Sequence, residues 1–334
     1  MIVKPETYKK LIAVHSGKII NIPNMILRKQ ASLEKQNENL TKNSVCIVCN
    51  FRFLENKIDW SSKVGAMCHP FKDDSIFPKN MKKYLFSESD FCDKLITPVD
   101  VTTGEWAIGK YDFVYFTLNS REGTRSKGIY TLPLLDHVSG KLGLKGLIID
   151  YAKRETTKHK GTIYDHASVR IKKSINKFKN LKVINGHFDA LEVCAIMKSV
   201  KFVFLPSDAD ASPRMIVEPL VRDVPIVVSS AIYGGWKYVN DRNGRFFNAP
   251  TIQEYMDFEY NSDHVDSLMK AIQDVLKLDN KVISKDFYKT WGFKSSTIKL
   301  ADIIYNVSGK RYKAVAFKEW KSALKRIAKR EKWI

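Results

Sequence analysis

Long apolar runs are missing from this sequence. No window approaches eighteen uninterrupted apolar residues, and the opening segment MIVKPETYKKLIAVHSGK holds only a short apolar stretch. Neither a membrane span nor a signal peptide is therefore expected, and the expected location is the cytoplasm. Cysteine is scarce too, with five in 334 residues, at 46, 49, 68, 92 and 194. So odd and sparse a set argues against a disulfide framework and for reduced thiols. No internal repeat or low-complexity tract is visible, which excludes solenoids and arrays. Acid is short relative to base, 36 Asp and Glu against 56 Lys and Arg, for a net charge of +20. The 44% hydrophobic content is that of a globular protein, and the length suffices for two domains of ordinary size.

The excess of base is concentrated. Residues 153 to 182 carry ten Lys or Arg against two acids, and residues 310 to 332 repeat that count. Such surfaces attract polyanions, either nucleic-acid phosphate or an anionic membrane face, by counterion release and long-range steering. Solvated helix faces would give the same composition.

The opening reads as a βαβ unit: LIAVHSG at 11 to 17 is a strand ending in a glycine turn, a helix runs from about Ile22 to Gln36, and SVCIVCNF at 44 to 51 is a second strand. A strand at KVGAMC, a helix near KNMKKYLF and a short apolar stretch at KLITPV follow. YDFVYFTL at 111 to 118 restarts the pattern, and strands recur at GLIIDY, LKVING, KFVFLP and PIVVSS with helical segments between them, which predicts a second parallel sheet. Residues 251 to 305 read mostly as helix, and the basic segment FKEWKSALKRIAKREKW has amphipathic spacing at Trp320, Leu324, Ile327 and Trp333.

The most informative block spans residues 202 to 247. FVFLP is a strand, Ser212 with Pro213 is a helix N-cap followed by proline at the first helical position, and PIVVSS is a β-branched buried strand. Asp210 stands in the loop before the helix and Glu218 eight residues on inside it, so both can face the crevice at the strand's carboxyl end. After the earlier strand DFVYFTL comes NSREGTRSKG, with Arg121 and Lys127 six apart on a glycine-containing loop.

These residues resemble the donor-binding half of the retaining glycosyltransferases of the GT-B fold, family-four-like, whose signature is an acid, seven residues, a glutamate, proline-valine, a Gly-Gly turn and asparagine-glycine. The matches are Asp210, Glu218, Pro225, Gly234, Gly235, Asn243 and Gly244; the departures are Asp rather than Glu at 210 and Pro219 in place of the usual alanine. The resemblance implies an α/β architecture of two Rossmann-like domains with parallel sheets facing across a crevice. Residues 1–105, with helices from about 306–334, would form the acceptor side and 106–305 the nucleotide-sugar domain. The first portion is short for the family.

The resemblance also assigns roles. Arg121 and Lys127 would stabilise the leaving diphosphate, so that no metal is needed, with Gly234 and Gly235 allowing close backbone approach. Glu218 would accept the ribose hydroxyls and Asp210 would hold hydroxyls of the transferred sugar. On the first domain His69, or His15 beside Gly17, would meet the donor sugar. The donor would be a nucleotide-diphosphate sugar of the UDP-sugar kind. The favoured acceptor is a hydroxymethylated pyrimidine such as hydroxymethylcytosine in DNA, as in phage DNA-modifying glycosyltransferases, which act in the host cytoplasm.

Other readings of the same residues stay open. Asp208-Ala209-Asp210 is formally a D-x-D, a spacing that holds Mn²⁺ or Mg²⁺ on a nucleotide diphosphate. Cys46, Cys49, Cys68 and His69 are ligand types for zinc, although the first two point to opposite faces of a predicted strand. The acceptor can instead be a polysaccharide or lipid-linked glycan at an anionic membrane face. A non-catalytic nucleic-acid-binding protein on a transferase fold is the third class.

Overall fold

The structure is a computed structural model that describes residues 11–15, 18–21, 45–48, 64–67, 82–85, 88–92, 110–117, 124, 126–150, 160–186, 188, 190–208, 214–232, 234–257, 261–292, 295–296, 298–299 and 302. The chain divides into two compact units, Met1–Cys92 with Tyr288–Ile327, and Asp93–Phe287 with Ala328–Ile334.

In the first unit, β1 (Leu11–His15) pairs antiparallel with β2 (Lys18–Asn21) and parallel with β3 (Val45–Val48), in the order β2-β1-β3. The parallel pairing of β1 and β3 is the one the sequence predicts. β2 is a correction: after Gly17 the chain first returns beside β1, with His15 opposite Lys18. The helix expected from Ile22 to Gln36 lies outside the described residues. β4 (Val64–Met67) forms where predicted and pairs parallel with β5 (Lys82–Leu85). The latter overturns the helix expected near KNMKKYLF. Lysine and leucine are good helix formers, but strand pairing over four residues outweighs a local preference worth a few tenths of a kcal/mol per residue.

The second unit is built on one six-stranded sheet, β6 (Phe113–Thr117), β7 (Gly146–Asp150), β8 (Leu181–Asn185), β9 (Phe202–Leu205), β10 (Ile226–Ser229) and β11 (Gly244–Phe247). Every pairing is parallel, and the order is β8-β7-β6-β9-β10-β11. All residues of β6, β7, β9 and β10 are buried, which is why they read as apolar runs, closed in β6, β7 and β10 by the buried polar residues Thr117, Asp150 and Ser229. The edge strands β8 and β11 are partly exposed. β11 was not foreseen: GRFF is short and carries an arginine, and only its neighbour β10 makes it a strand.

The connections are α1 (Leu132–Leu142), α2 (Ile163–Ser174), α3 (Ala190–Lys198) and α4 (Arg214–Leu220), followed beyond β11 by α5 (Ile252–Asp257), α6 (Ser262–Val275) and α7 (Ile283–Thr290). α1 packs on α6, which covers β10 and β11, and α2 packs on α5. α3 packs on α4, which lies on β9 and β10. The core beneath α1 and α6 is an aromatic ladder running across strands. Phe113 stacks on Phe202 with centroids 5.1 Å apart, Tyr115 meets Phe204 edge-on at 5.9 Å, and Phe204 meets Phe247 at 5.2 Å. Local chemistry sets the helix ends. Asn261 caps α6 by accepting the His264 amide at 3.0 Å, and Thr251 with Glu254 forms a reciprocal capping box on α5. α1 stops at Gly143, whose φ of 66° is the left-handed turn glycine permits.

Candidate functional site

Numbered in chain order, the six strands lie 3-2-1-4-5-6, the doubly wound arrangement, and its order reverses between β6 and β9. At such a reversal the loops leaving neighbouring strands splay apart, opening a crevice at the carboxyl ends where ligands bind. The connection after β6 carries Lys127, in a helical turn rather than the loop its sequence suggests, and the loop after β9 carries Asp208. Residues that a sequence pattern can only place on two separate loops thus meet at one switch point.

The two loops are tied together. Gly128 adopts φ 66°, and a Cβ there would stand 2.2 Å from the Pro206 carbonyl oxygen and 2.9 Å from its carbon. Only glycine allows that approach, because both the dihedral and the space exclude a side chain. On one side of it, the Lys127 carbonyl accepts the Tyr115 hydroxyl at 2.5 Å. On the other, Thr131 Oγ1 donates to the Gly128 carbonyl at 2.8 Å, and the Tyr130 hydroxyl donates to Asp208 Oδ2 at 2.8 Å. Tyr130 is itself held by neighbours: its ring lies 6.2 Å from that of Tyr255, over which Arg170 stacks at 4.8 Å while donating to the Tyr255 and Met256 carbonyls. Burial pushes the phenols of Tyr115 and Tyr130 far up from the usual tyrosine range, and the Asp208 carboxylate adds to this at Tyr130. Both remain protonated donors throughout the neutral range.

Glu218 lies on α4, half-buried, with Oε1 held 2.9 Å from Arg214 Nη2 one helical turn back. Because Arg214 is largely exposed, this pair fixes the carboxylate's direction more than it adds stability. The Glu218 backbone carbonyl accepts Arg222 Nη1 at 2.6 Å. Pro219 stands inside this short helix, and its own carbonyl accepts the Arg222 and Val224 amides as the chain turns toward β10. Gly234 and Gly235 follow β10 at the same end of the sheet; Gly234 is buried and Gly235 has φ 82°.

Asn243 and Gly244 serve the fold. The Asn243 side chain donates to the Tyr238 carbonyl and accepts the Asn240 amide, both at 2.9 Å, closing the turn before β11. A Cβ on Gly244 would stand 2.8 Å from Ile226 backbone oxygen, so close pairing of β10 and β11 demands glycine.

Arg121, Asp210, His69 and Gly17 lie outside the described residues, as do Cys49, Cys68, Ala209, Ser212 and Pro213. His15 ends β1. Cys46 lies within β3, which ends at Val48. The basic segment 310 to 332 is likewise outside. Of the predicted donor residues the structure places Lys127, Glu218, Gly234 and Gly235, all on loops or a helix that follow carboxyl ends of this sheet. Sequence reading missed three. Arg214 had a visible signal, the i,i+4 spacing to Glu218. Gly128 and Tyr130 had none, since their partners Pro206 and Asp208 are remote in sequence.

This architecture is the GT-B fold of two-domain glycosyltransferases. Among solved structures the chain is similar to a sucrose-phosphate synthase from Thermosynechococcus elongatus, at TM-score 0.56 and 10% identity over 82% of this chain and 70% of that one. It is similar as well to a glycosyltransferase from Rickettsia africae, at TM-score 0.54 and 10% identity over 81% of this chain and 72% of that one. At such identity the likeness is one of fold. No protein-family model matches the sequence, and no curated protein does.

Proposed function

We propose that the chain is a retaining glycosyltransferase that moves a sugar from a nucleotide-diphosphate sugar, of the UDP-sugar kind, to an acceptor hydroxyl. One observation carries this reading: at the switch point of a doubly wound sheet, Gly128 packs against Pro206 and so brings Lys127 beside the acid-bearing loop after β9. Breaking a sugar–phosphate bond leaves negative charge on the nucleotide. Lys127 and Arg121 stabilise that charge as it forms, and Glu218, oriented by Arg214, accepts the ribose hydroxyls. Asp210 holds hydroxyls of the transferred sugar, and Gly234 and Gly235 let the backbone approach the diphosphate. The departing phosphate takes the acceptor proton, so transfer proceeds on the leaving group's own face without an enzymic nucleophile or a metal.

The acceptor we infer is a hydroxymethylated pyrimidine in DNA, hydroxymethylcytosine first, flipped out of the duplex to reach the site. The net charge of +20 supports a polyanionic acceptor. The test is transfer of labelled sugar from a panel of nucleotide sugars to hydroxymethylated DNA and to cell-envelope glycans, with the product's anomeric configuration read by NMR. Lys127→Ala and Glu218→Ala should each lower turnover by about a hundredfold or more, and EDTA should leave the wild-type rate intact. Wild-type rates in both variants would refute the site, an inverted product would refute retention, and transfer to glycans alone would refute the DNA acceptor. Failure to bind any nucleotide sugar would make the chain a non-catalytic binding protein.

A further inference from the structure

The parallel topology gathers lysines that the sequence scatters. Each helix after a strand returns the chain from the carboxyl end of the sheet to its amino end. The last turns of α1 and α2 and the start of β8 therefore share one rim. Hydrogen bonds weld it: the Asp136 carboxylate of α1 accepts the Lys179 and Asn180 amides at 3.4 and 2.8 Å, Asn180 Nδ2 donates to the Asp136 carbonyl at 3.0 Å, and the Gly146 amide donates to the Asn180 carbonyl at 2.9 Å.

On this rim stand Lys141 in the last turn of α1 and Lys145 just beyond it, Lys173 in the last turn of α2 and Lys177 and Lys179 just beyond it, and Lys182 from β8, all exposed. Among the described residues, none of these six ammonium groups forms an ion pair. Asp112 and Asp136, which share the rim, are already engaged: Asp112 takes Lys201 Nζ at 2.8 Å and the Lys145 amide at 2.8 Å, and Asp136 takes backbone amides. With Asp112 neutralised by Lys201, six lysines face the single carboxylate of Asp136, and the rim carries a net positive charge at the end of the sheet opposite the donor crevice.

We propose that this rim is a docking face for the phosphate backbone of duplex DNA, separate from the transfer site. Lysine is a compact point charge suited to phosphate at any sequence, and it reads no base. Single strands need exposed aromatic rings to stack on, and the rim's Phe178 is turned against the core. Lasting attachment to a lipid surface needs apolar side chains to bury, and α2 exposes one large apolar residue here, Val169. Six point charges spread over two helix ends, the turns that follow them and an edge strand fit a duplex that presents a phosphate row. In the transferase reading this face would hold the polymer while the crevice acts, but docking itself does not depend on that chemistry.

The experiment is fluorescence anisotropy of a labelled duplex across a salt series. It compares wild type, the rim variant K173Q/K177Q/K179Q/K182Q, its charge-keeping counterpart with arginine at all four positions, and a control, K270Q/K277Q/K281Q/K285Q, of equal charge loss on the exposed surface of α6, α7 and their junction. Each phosphate contact contributes about 0.9 to the slope of log affinity against log salt, so the rim variant should lose about 3.6 from that slope and about tenfold or more in affinity. The arginine variant should bind like wild type and the control nearly so. Equal losses in rim and control variants would overturn the proposal. So would an unchanged slope, or lysine-dependent sedimentation with phosphatidylserine vesicles in place of DNA binding. Nucleotide binding by the rim variant, measured in parallel, should be unchanged; if no form binds nucleotide while the DNA slope still falls, the docking face stands and the transferase reading does not.

Discussion

Gly128→Ala tests the geometry on which the site depends. Two costs add. A residue with a side chain at φ 66° pays about 1–2 kcal/mol for the left-handed conformation. The new Cβ would also stand 2.2 Å from the Pro206 oxygen, a backbone atom that cannot rotate aside, so the loops must part at an overpacking cost of about 1–3 kcal/mol. The sum, about 2–5 kcal/mol, is a large share of the ~5–15 kcal/mol that holds a domain folded. For a unit of this size it lowers Tm by roughly 4–20 °C. Parting the two connections also displaces Lys127; in the proposed mechanism Lys127 stabilises the leaving phosphate, and there a shift of about 1 Å would cost on the order of a hundredfold in rate. Gly143→Ala is the matched control: its φ is 66° too, yet nothing lies within 4 Å of its Cβ position, so only the conformational cost applies. Thermal melts followed by circular dichroism, with nucleotide binding by calorimetry, separate the two. If Gly128→Ala melts within about 2 °C of Gly143→Ala and binds nucleotide like wild type, the loop junction does not hold the site.

Tyr130→Phe keeps the ring and removes the bond to Asp208; chemical denaturation should show a loss of about 1.5–3 kcal/mol, and unchanged stability would mean that the bond contributes nothing. Alkaline pH should destabilise the fold through Tyr115 and Tyr130. Both hold their protons more tightly folded than unfolded, so their contribution is full below the unfolded value of 10.0 and is lost above it, at about 1.4 kcal/mol per pH unit for each. Urea unfolding between pH 9 and about 11.5 should show this fall, with Tyr130→Phe sloping less steeply; a flat profile would refute it. Asn243→Ala leaves the Asn240 amide and the Tyr238 carbonyl without their partner, costing about 1–3 kcal/mol while sparing nucleotide affinity. If affinity instead fell with stability intact, Asn243 would belong to the site.

Much of the second unit was legible because burial on both faces leaves a plain mark. FVYFT, GLIID, FVFL and IVVS are predominantly apolar runs, and each is a strand. Elements whose apolar content is low were not legible. KKYL and GRFF are strands because a neighbour supplies their hydrogen bonds. The proposed site shows the same divide. Lys127, Glu218 and the Gly234-Gly235 turn stand out by type and spacing, whereas Asn243-Gly244, equally conspicuous, closes a turn and starts an edge strand.

By itself, then, the sequence determined which segments become central strands and which loops carry cations and carboxylates, because both follow from local composition. Only the tertiary structure decided that β6 and β9 lie side by side, that Gly128 touches Pro206, and that Tyr130 reaches Asp208 across 78 residues. It alone gathered six lysines from three elements onto one rim. The reason is physical: strand order, close approach and summed charge arise from contacts between distant residues, and no periodicity within either partner records them.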